Sequence, residues 1–473
     1  MSQTRTEHDL LGEREVPAER YYGIQTLRAL ENFDITGIPI SHYPRLIHAL
    51  AYIKKAAALA NHDLGLLPLH IADAIARACD ELIAGQYHSE FVVDVIQGGA
   101  GTSTNMNANE VIANLALEIL GHEKGRYDII HPLNHVNLSQ STNDVYPTAL
   151  RLTLSQKMDG LLREMEGLRQ ALALKGTEFA DVIKMGRTQL QDAVPMTLGQ
   201  EFGAWAVMVG EDIERVREAQ ALIREINMGA TAIGTGLNAH PDYAALVTDK
   251  LRELSGVPVI MSQNLVEATQ DAGAYVQLSG VLKRVAVKLS KICNDLRLLS
   301  SGPRAGLHEI NLPPMAPGSS IMPGKVNPII PEVVNQVAFE VIGNDLTVTL
   351  AAEAGQLELN VMEPVIAYNL FTSLDMLGRA CRTLAEHCIK GITANREVCR
   401  RMVENSIGLV TALNPLLGYE KSTEIASTAM TTGRSVYDIV LEKGYLTKAE
   451  LDDALSPENM TRPRYIHRRA GAS

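Results

Sequence analysis

The chain is poor in aromatic residues: only 4% are Phe, Trp or Tyr, with a single tryptophan. Large antiparallel sheets draw on aromatic and β-branched residues, so a core built from Leu, Ile, Val, Ala and Met points to helix-on-helix packing. Its five cysteines (Cys79, Cys293, Cys381, Cys388, Cys399) show no C-x-x-C spacing, so free thiols in a reducing cytoplasm are expected. No run of 18 apolar residues occurs, and Met1 to Arg20 mixes charges without an apolar segment. Neither a membrane span nor a secretory signal is therefore expected. A positive balance is lacking too: the formal net charge is −12 and the pI about 5.6, which argues against a general nucleic-acid or anionic-membrane surface. There is no P-loop, no H-E-x-x-H and no G-x-G-x-x-G after a strand pattern. His131 and His135 stand four apart, but Pro132 opposes a regular helix there and no further ligands are suitably spaced, so no metal site is expected.

What the 473 residues do contain is apolar periodicity. Hydrophobic residues make up 46% and charged residues 21%, the range of a soluble globular chain. Tyr275, Leu278, Leu282, Val285, Leu289, Ile292, Leu296 and Leu299 recur at alternating steps of three and four, a heptad pattern free of proline from 259 to 302. A rod of that length suits a long-helix bundle that seeks partner helices in other subunits. The expected organisation is mainly α in three parts: a mostly helical N-terminal domain over 1–141, a central long-helix bundle over 142–397, and a small helical C-terminal domain over 398–473. Residues 1–45 read as a polar arm, Leu46 to Ala84 as one Ala-rich helical stretch, and a further helix is expected to start near Asn107. Four short helices are expected at Glu404–Leu413, Ser422–Thr431, Val436–Lys443 and Lys448–Leu455.

Four polar loops interrupt the helical patterns: Gly101 to Asn107, Ser139 to Asp144, Gly186 to Gln191, and Gly318 to Pro328 (Gly-Ser-Ser-Ile-Met-Pro-Gly-Lys-Val-Asn-Pro). Pro323 and Pro328 exclude a regular helix in the last of these. Hydroxyls, amides and a lysine in this density suit a carboxylate held by many hydrogen bonds. Taken singly, such residues cap helices.

The 318–328 segment resembles the signature of the fumarase/aspartase superfamily. Gly101-Thr102-Ser103 with Asn105-Met106-Asn107, and Ser141-Thr142-Asn143-Asp144, are similar to its other two characteristic regions, and the resemblance spans nearly the whole chain. Thr188-Gln189 and Asn360-Val361-Met362-Glu363-Pro364 resemble the ammonia-lyase branch; fumarases usually carry Thr-His and Asn-Val-Phe-Lys-Pro there. The resemblance implies a three-domain fold assembling into a homotetramer, with each site shared between subunits. It implies reversible deamination of L-aspartate to fumarate through C3 proton abstraction and an aci-carboxylate intermediate, without an organic cofactor; divalent-cation activation stays open. Fumarate hydration and a catalytically silent helical oligomer are the alternatives. By resemblance Ser319 is the base. Thr102, Ser141, Thr142 and Ser320 hold the β-carboxylate, and Lys325, Asn327 and Thr188 hold the α-carboxylate. Asn143 orients the amino group. Gln189 and Glu363 stand nearby in a supporting position, the proton donor to ammonia is unassigned, and His135 is structural or peripheral.

Overall fold

The computed structural model describes residues 3–463. It opens with a hairpin, β1 (Thr4–Asp9) and β2 (Gly12–Pro17), paired from Thr4↔Pro17 to Asp9↔Gly12. The polar arm expected here is therefore ordered. Its alternating side chains are mostly exposed, so no apolar period marks them as strands. Helices α1 (Ile24–Asn32), α2 (Pro44–Asp63), α3 (Leu69–Ile83) and α4 (Thr102–Ile119) follow. The single stretch expected over 46–84 is two helices, because Gly65 turns the chain at φ +72° and Pro68 precedes the next start.

Next come α5 (Thr142–Glu178), the hairpin β3 (Ile183–Thr188) and β4 (Gln191–Thr197), then α6 (Leu198–Ile223), α7 (Tyr243–Ser255), α8 (Leu265–Gln270) and α9 (Gly273–Leu299). Helix α7 stops at Gly256, whose φ of +67° supplies the left-handed cap. Helices α10 (Ile329–Glu353) and α11 (Glu363–His387) precede the short helices α12 (Arg396–Glu404), α13 (Leu409–Leu417), α14 (Tyr419–Thr432), α15 (Val436–Glu442), α16 (Lys448–Ala454) and α17 (Pro457–Thr461). The expected helix Glu404–Leu413 is broken at 405–408. Ser406 there turns its hydroxyl to Asp192 and to the Gly408 N–H instead of continuing a ladder.

Contacts divide the chain into two compact units. One comprises Met1–Arg163, Glu214–Ala286 and Phe339–Gly378; the other comprises Glu164–Ile213, Val287–Ala338 and Arg379–Ser473. In the first, α2 packs against α3 and α7, and α3 against α4, around Leu50, Ile53, Ile75 and Leu82. In the second, α12 lies on β3, α13 on α14, and α14 on α15, around Met185, Val403, Leu413, Ile425, Ile439 and Leu451.

Helix α9 covers the heptad predicted for it, and all eight heptad side chains are buried within the chain. That seam therefore needs no partner subunit, contrary to expectation. The exposed apolar stripe lies instead on α10, where Phe339, Leu346 and Leu350 are 63%, 61% and 60% exposed. All five cysteines are unpaired and buried. Among the described residues no helix is long and apolar enough to cross a membrane.

Candidate active site

Two helix N-termini carry the first set of predicted residues. At α4, Gly101 holds φ +87° with its backbone against the Tyr146 ring; a Cβ there would sit 2.2 Å from Tyr146 Cδ2. The left-handed turn starts the helix at Thr102, earlier than the Asn107 expected. Thr102 is exposed and its hydroxyl donates to Gly99 O at 2.6 Å, so serving a carboxylate requires breaking that bond.

At α5 the Ser141 hydroxyl accepts from Asn143 N–H (3.2 Å), and Asp144 Oδ1 accepts from Ser141 N–H (2.9 Å). This reciprocal cap ties both ends of the first turn. The capping role and a carboxylate-binding role are compatible, since a hydroxyl that accepts from N–H keeps its own proton to give. Asp144 Oδ2 accepts from Thr231 N–H (2.9 Å) and Gly229 N–H (3.2 Å). Burial pushes this carboxyl up to about 7, while those three N–H groups and Lys54 pull it down.

Asn143 Nδ2 donates to Ala232 O (2.7 Å), and Asn227 Nδ2 donates to the Asn143 carbonyl (3.0 Å). With its Nδ2 committed to Ala232 O, Asn143 Oδ1 has no donor among the described residues, the polarity an ammonium group needs. Thr142 Oγ1 accepts from Asn105 Nδ2 at 3.1 Å. Asn105 Oδ1 accepts in turn from Lys54 Nζ at 2.7 Å. The N-terminal dipoles of α4 and α5 reinforce this set as a place for negative charge.

Glu363, in the first turn of α11, is buried in the same unit, and burial raises its carboxyl to about 8 against the pull of Arg151. His135 Nδ1 accepts from His131 N–H at 2.8 Å inside a π-turn over Pro132–Val136, which is a structural use of the ring.

The second unit carries the rest. Thr188 and Gln189 are exposed at the tip of the β3–β4 hairpin, where Gln189 and Leu190 hold φ of +55° and +61°. Left-handed backbone at two non-glycine residues is strain, and the hairpin is held beneath it. Arg187 Nη1 reaches Glu309 Oε1 at 2.6 Å, and Lys184 bridges Glu309 at 3.0 Å and Glu201 at 2.5 Å, with Glu309 wholly buried.

In the 318–328 loop, Gly318 N–H donates to Lys325 O (2.7 Å) and Asn327 Nδ2 to Gly318 O (2.6 Å). A Cβ on Gly318 would lie 2.4 Å from Lys325 O, so this closure demands glycine. The Ser319 hydroxyl accepts from Met322 N–H (3.0 Å) and Ile321 N–H (3.2 Å). Two backbone donors on one oxygen favour its deprotonated, alkoxide form without any neighbouring histidine. Ser320 is exposed, and the exposed Lys325 has no ion-pair partner among the described residues.

The structure thus brings Thr102, Ser141, Thr142 and Asn143 onto helix starts of one unit. It places Thr188, Gln189, Ser319, Ser320, Lys325 and Asn327 on loops of the other. Sequence reasoning missed Lys54 and the 227–232 segment, and gave Asp144 no role although it lies in a region singled out above. The signal for Lys54 was present: it falls four residues after Leu50, on the face α2 buries. Among the described residues no group of three or more His, Cys, Asp or Glu could hold a metal ion.

A family model described as Lyase matches residues 12–343, and one described as Fumarase C C-terminus matches 409–462. Curated relatives include the aspartate ammonia-lyase of Helicobacter pylori, 64% identical over 97% of this chain and 98% of that protein. The aspartate ammonia-lyase of Escherichia coli is 55% identical over 98% of both. Among solved structures, a fumarate lyase:delta crystallin from Brucella melitensis bound to cobalt superposes with TM-score 0.96 at 56% identity, covering 98% of this chain and all of that one. A class II fumarase from Schistosoma mansoni superposes with TM-score 0.93 at 36% identity, covering 98% of this chain and all of that one.

Proposed function

The chain belongs to the fumarase/aspartase superfamily of lyases, and from that premise we propose that it catalyses reversible elimination of ammonia from L-aspartate to give fumarate. The observation that carries the reading is 64% identity across nearly the full length of an aspartate ammonia-lyase. Gln189 and Glu363 support the same branch.

In this mechanism Ser319 removes a C3 proton, the developing aci-carboxylate is met by hydroxyl donors, and the C–N bond then breaks. The C3 proton is weakly acidic, so stabilising the dianion is the main task. The two N–H donors on Ser319 Oγ support its role as base. Ser141 and Thr142, whose hydroxyl protons nothing accepts among the described residues, suit the β-carboxylate, joined by Thr102 once it leaves Gly99 and by Ser320. The unpaired Lys325 supports capture of the α-carboxylate, with Asn327 and Thr188 beside it. Asn143 Oδ1 receives the ammonium group. Glu363 and Gln189 act from behind. The elimination itself calls for no organic cofactor, and divalent-cation activation stays open.

The functional form is a homotetramer in which each site takes its residues from more than one subunit. The apolar stripe on α10 supports an assembly, since an exposed row of large apolar side chains marks a covered surface. Sedimentation at graded concentration tests it. Three domains, 1–141, 142–397 and 398–473, complete the organisation; the separate family match over 409–462 supports the last. Five buried, unpaired thiols support a cytoplasmic setting.

One assay decides the reaction: fumarate absorbance is followed with L-aspartate, then with L-malate. Fumarate from aspartate alone is expected. Fumarate from malate alone would favour the hydratase, and none from either the silent oligomer.

A further inference from the structure

Lys54 is wholly buried on α2, and among the described residues no carboxylate accepts from its ammonium. Its three N–H groups meet three neutral amide oxygens: Asn105 Oδ1 at 2.7 Å, Asn137 Oδ1 at 2.9 Å and Gln140 Oε1 at 2.9 Å. A buried cation is costly unless every donor is satisfied, and here every donor is. The consequence reaches further than packing. An ammonium has donors only, so it fixes which end of each amide faces it. The nitrogens must then point away, and each finds an acceptor. Gln140 Nε2 donates to Val136 O and Leu138 O, and Asn137 Nδ2 to Gln140 O. Asn105 Nδ2 donates to Asn137 Oδ1 at 3.2 Å and to Thr142 Oγ1 at 3.1 Å.

Thr142 therefore accepts from inside the protein, and among the described residues nothing accepts its own hydroxyl proton. We propose that Lys54 is a positioning residue that sets the donor–acceptor polarity of the Lys54–Asn105–Thr142 chain, so that the Thr142 hydroxyl faces the substrate as an obligate donor to its carboxylate. The inference rests on the reading of Thr142 as a carboxylate ligand. A hydroxyl free to choose would spend part of its time as an acceptor, the wrong polarity for an anion. Locking the proton outward in advance removes that reorganisation from the reaction.

Substituting Lys54→Met empties a buried charged position and can simply unfold the chain, so the decisive variant is Asn105→Asp. It keeps a partner for Lys54 but replaces the amide donor with a second acceptor, which draws the Thr142 proton inward. It is combined with Thr142→Val in a double-mutant cycle on the full chain, with thermal melts and L-aspartate kinetics for each form. Expected are near-native melts and a loss of about 10²-fold in kcat for Asn105→Asp, with KM changing less. A similar loss is expected for Thr142→Val, and no further loss in the double variant. Losses that multiply would show that Asn105→Asp acts by charge repulsion or distortion, and the proposal fails. Native kinetics in Asn105→Asp beside an impaired Thr142→Val overturns the polarity role alone. Native kinetics in Thr142→Val overturns the underlying ligand reading.

Discussion

The segment 137–144 and the loop 318–328 both carry residues for the same proposed chemistry, yet they are held in opposite ways. The first is tethered from below by other elements. Lys54 and Asn61 reach it from α2, Asn105 and Asn109 from α4, and the 227–232 segment closes over Asp144 and Asn143. The second is tied by hydrogen bonds within itself, and its Ile321 side chain is 82% exposed. Groups that oppose developing charge gain most from being fixed beforehand, whereas a loop tied only to itself is free to close over and release a substrate. On the proposed mechanism, fixed donors and a self-contained loop bearing Ser319 are thus a division of labour.

The sharpest way to break this comparison is Ser319→Ala. Turnover is expected to fall more than 10³-fold while binding of a dicarboxylate such as succinate persists. Retained turnover would remove the base from the loop. Next, Lys325→Met should raise KM for L-aspartate about 10–100-fold with a smaller effect on kcat, because a charge-assisted hydrogen bond contributes about 1.5–3 kcal/mol to holding the substrate. A kcat-only effect would move Lys325 from clamp to transition state. Gly324→Ala then asks whether the loop's own geometry matters. Gly324 sits at φ +82° with open space where a Cβ would go. The added methyl therefore strains only the backbone, by about 1 kcal/mol, and a several-fold loss of kcat with an unchanged melt is expected.

The smallest effect concerns the fixed side. Glu363 has its carboxyl raised to about 8 by burial, above the usual value near 4.5. The folded state thus holds this proton more tightly than the unfolded chain does. The stability it contributes is full below pH 4.5 and is lost as pH rises through 8. Glu363→Gln lacks that dependence, so its melting temperature should gain on the parent by a few degrees between pH 5 and pH 8.5. A constant difference across that range would mean the carboxyl titrates normally.

Much of this was legible before any coordinates, and for identifiable reasons. Helix α9 was readable because eight apolar residues repeat without a proline to stop them. The 318–328 loop was readable because two prolines and a lysine leave no regular structure to propose. The β1–β2 hairpin was not, since its mostly exposed polar side chains carry no burial signal. Helix α4 begins early because Gly101 turns against Tyr146, a contact 45 residues away in sequence. Lys54 was hidden by habit: a lysine in an alanine-rich helix is ordinarily a solvated residue. Its partners are amides 51, 83 and 86 residues distant, which only the fold assembles.

The apolar stripe on α10 has a consequence for supply. In the proposed homotetramer Phe339, Leu346 and Leu350 are covered by another copy, a meeting of two chains whose rate rises with the square of their concentration. A newly made chain at low abundance waits longest with that surface bare, and bare apolar surface also recruits the wrong neighbours. Under the proposed assembly, output per chain depends on how much chain is made: scarce protein is disproportionately idle, and abundance counts twice, once in number and once in assembly.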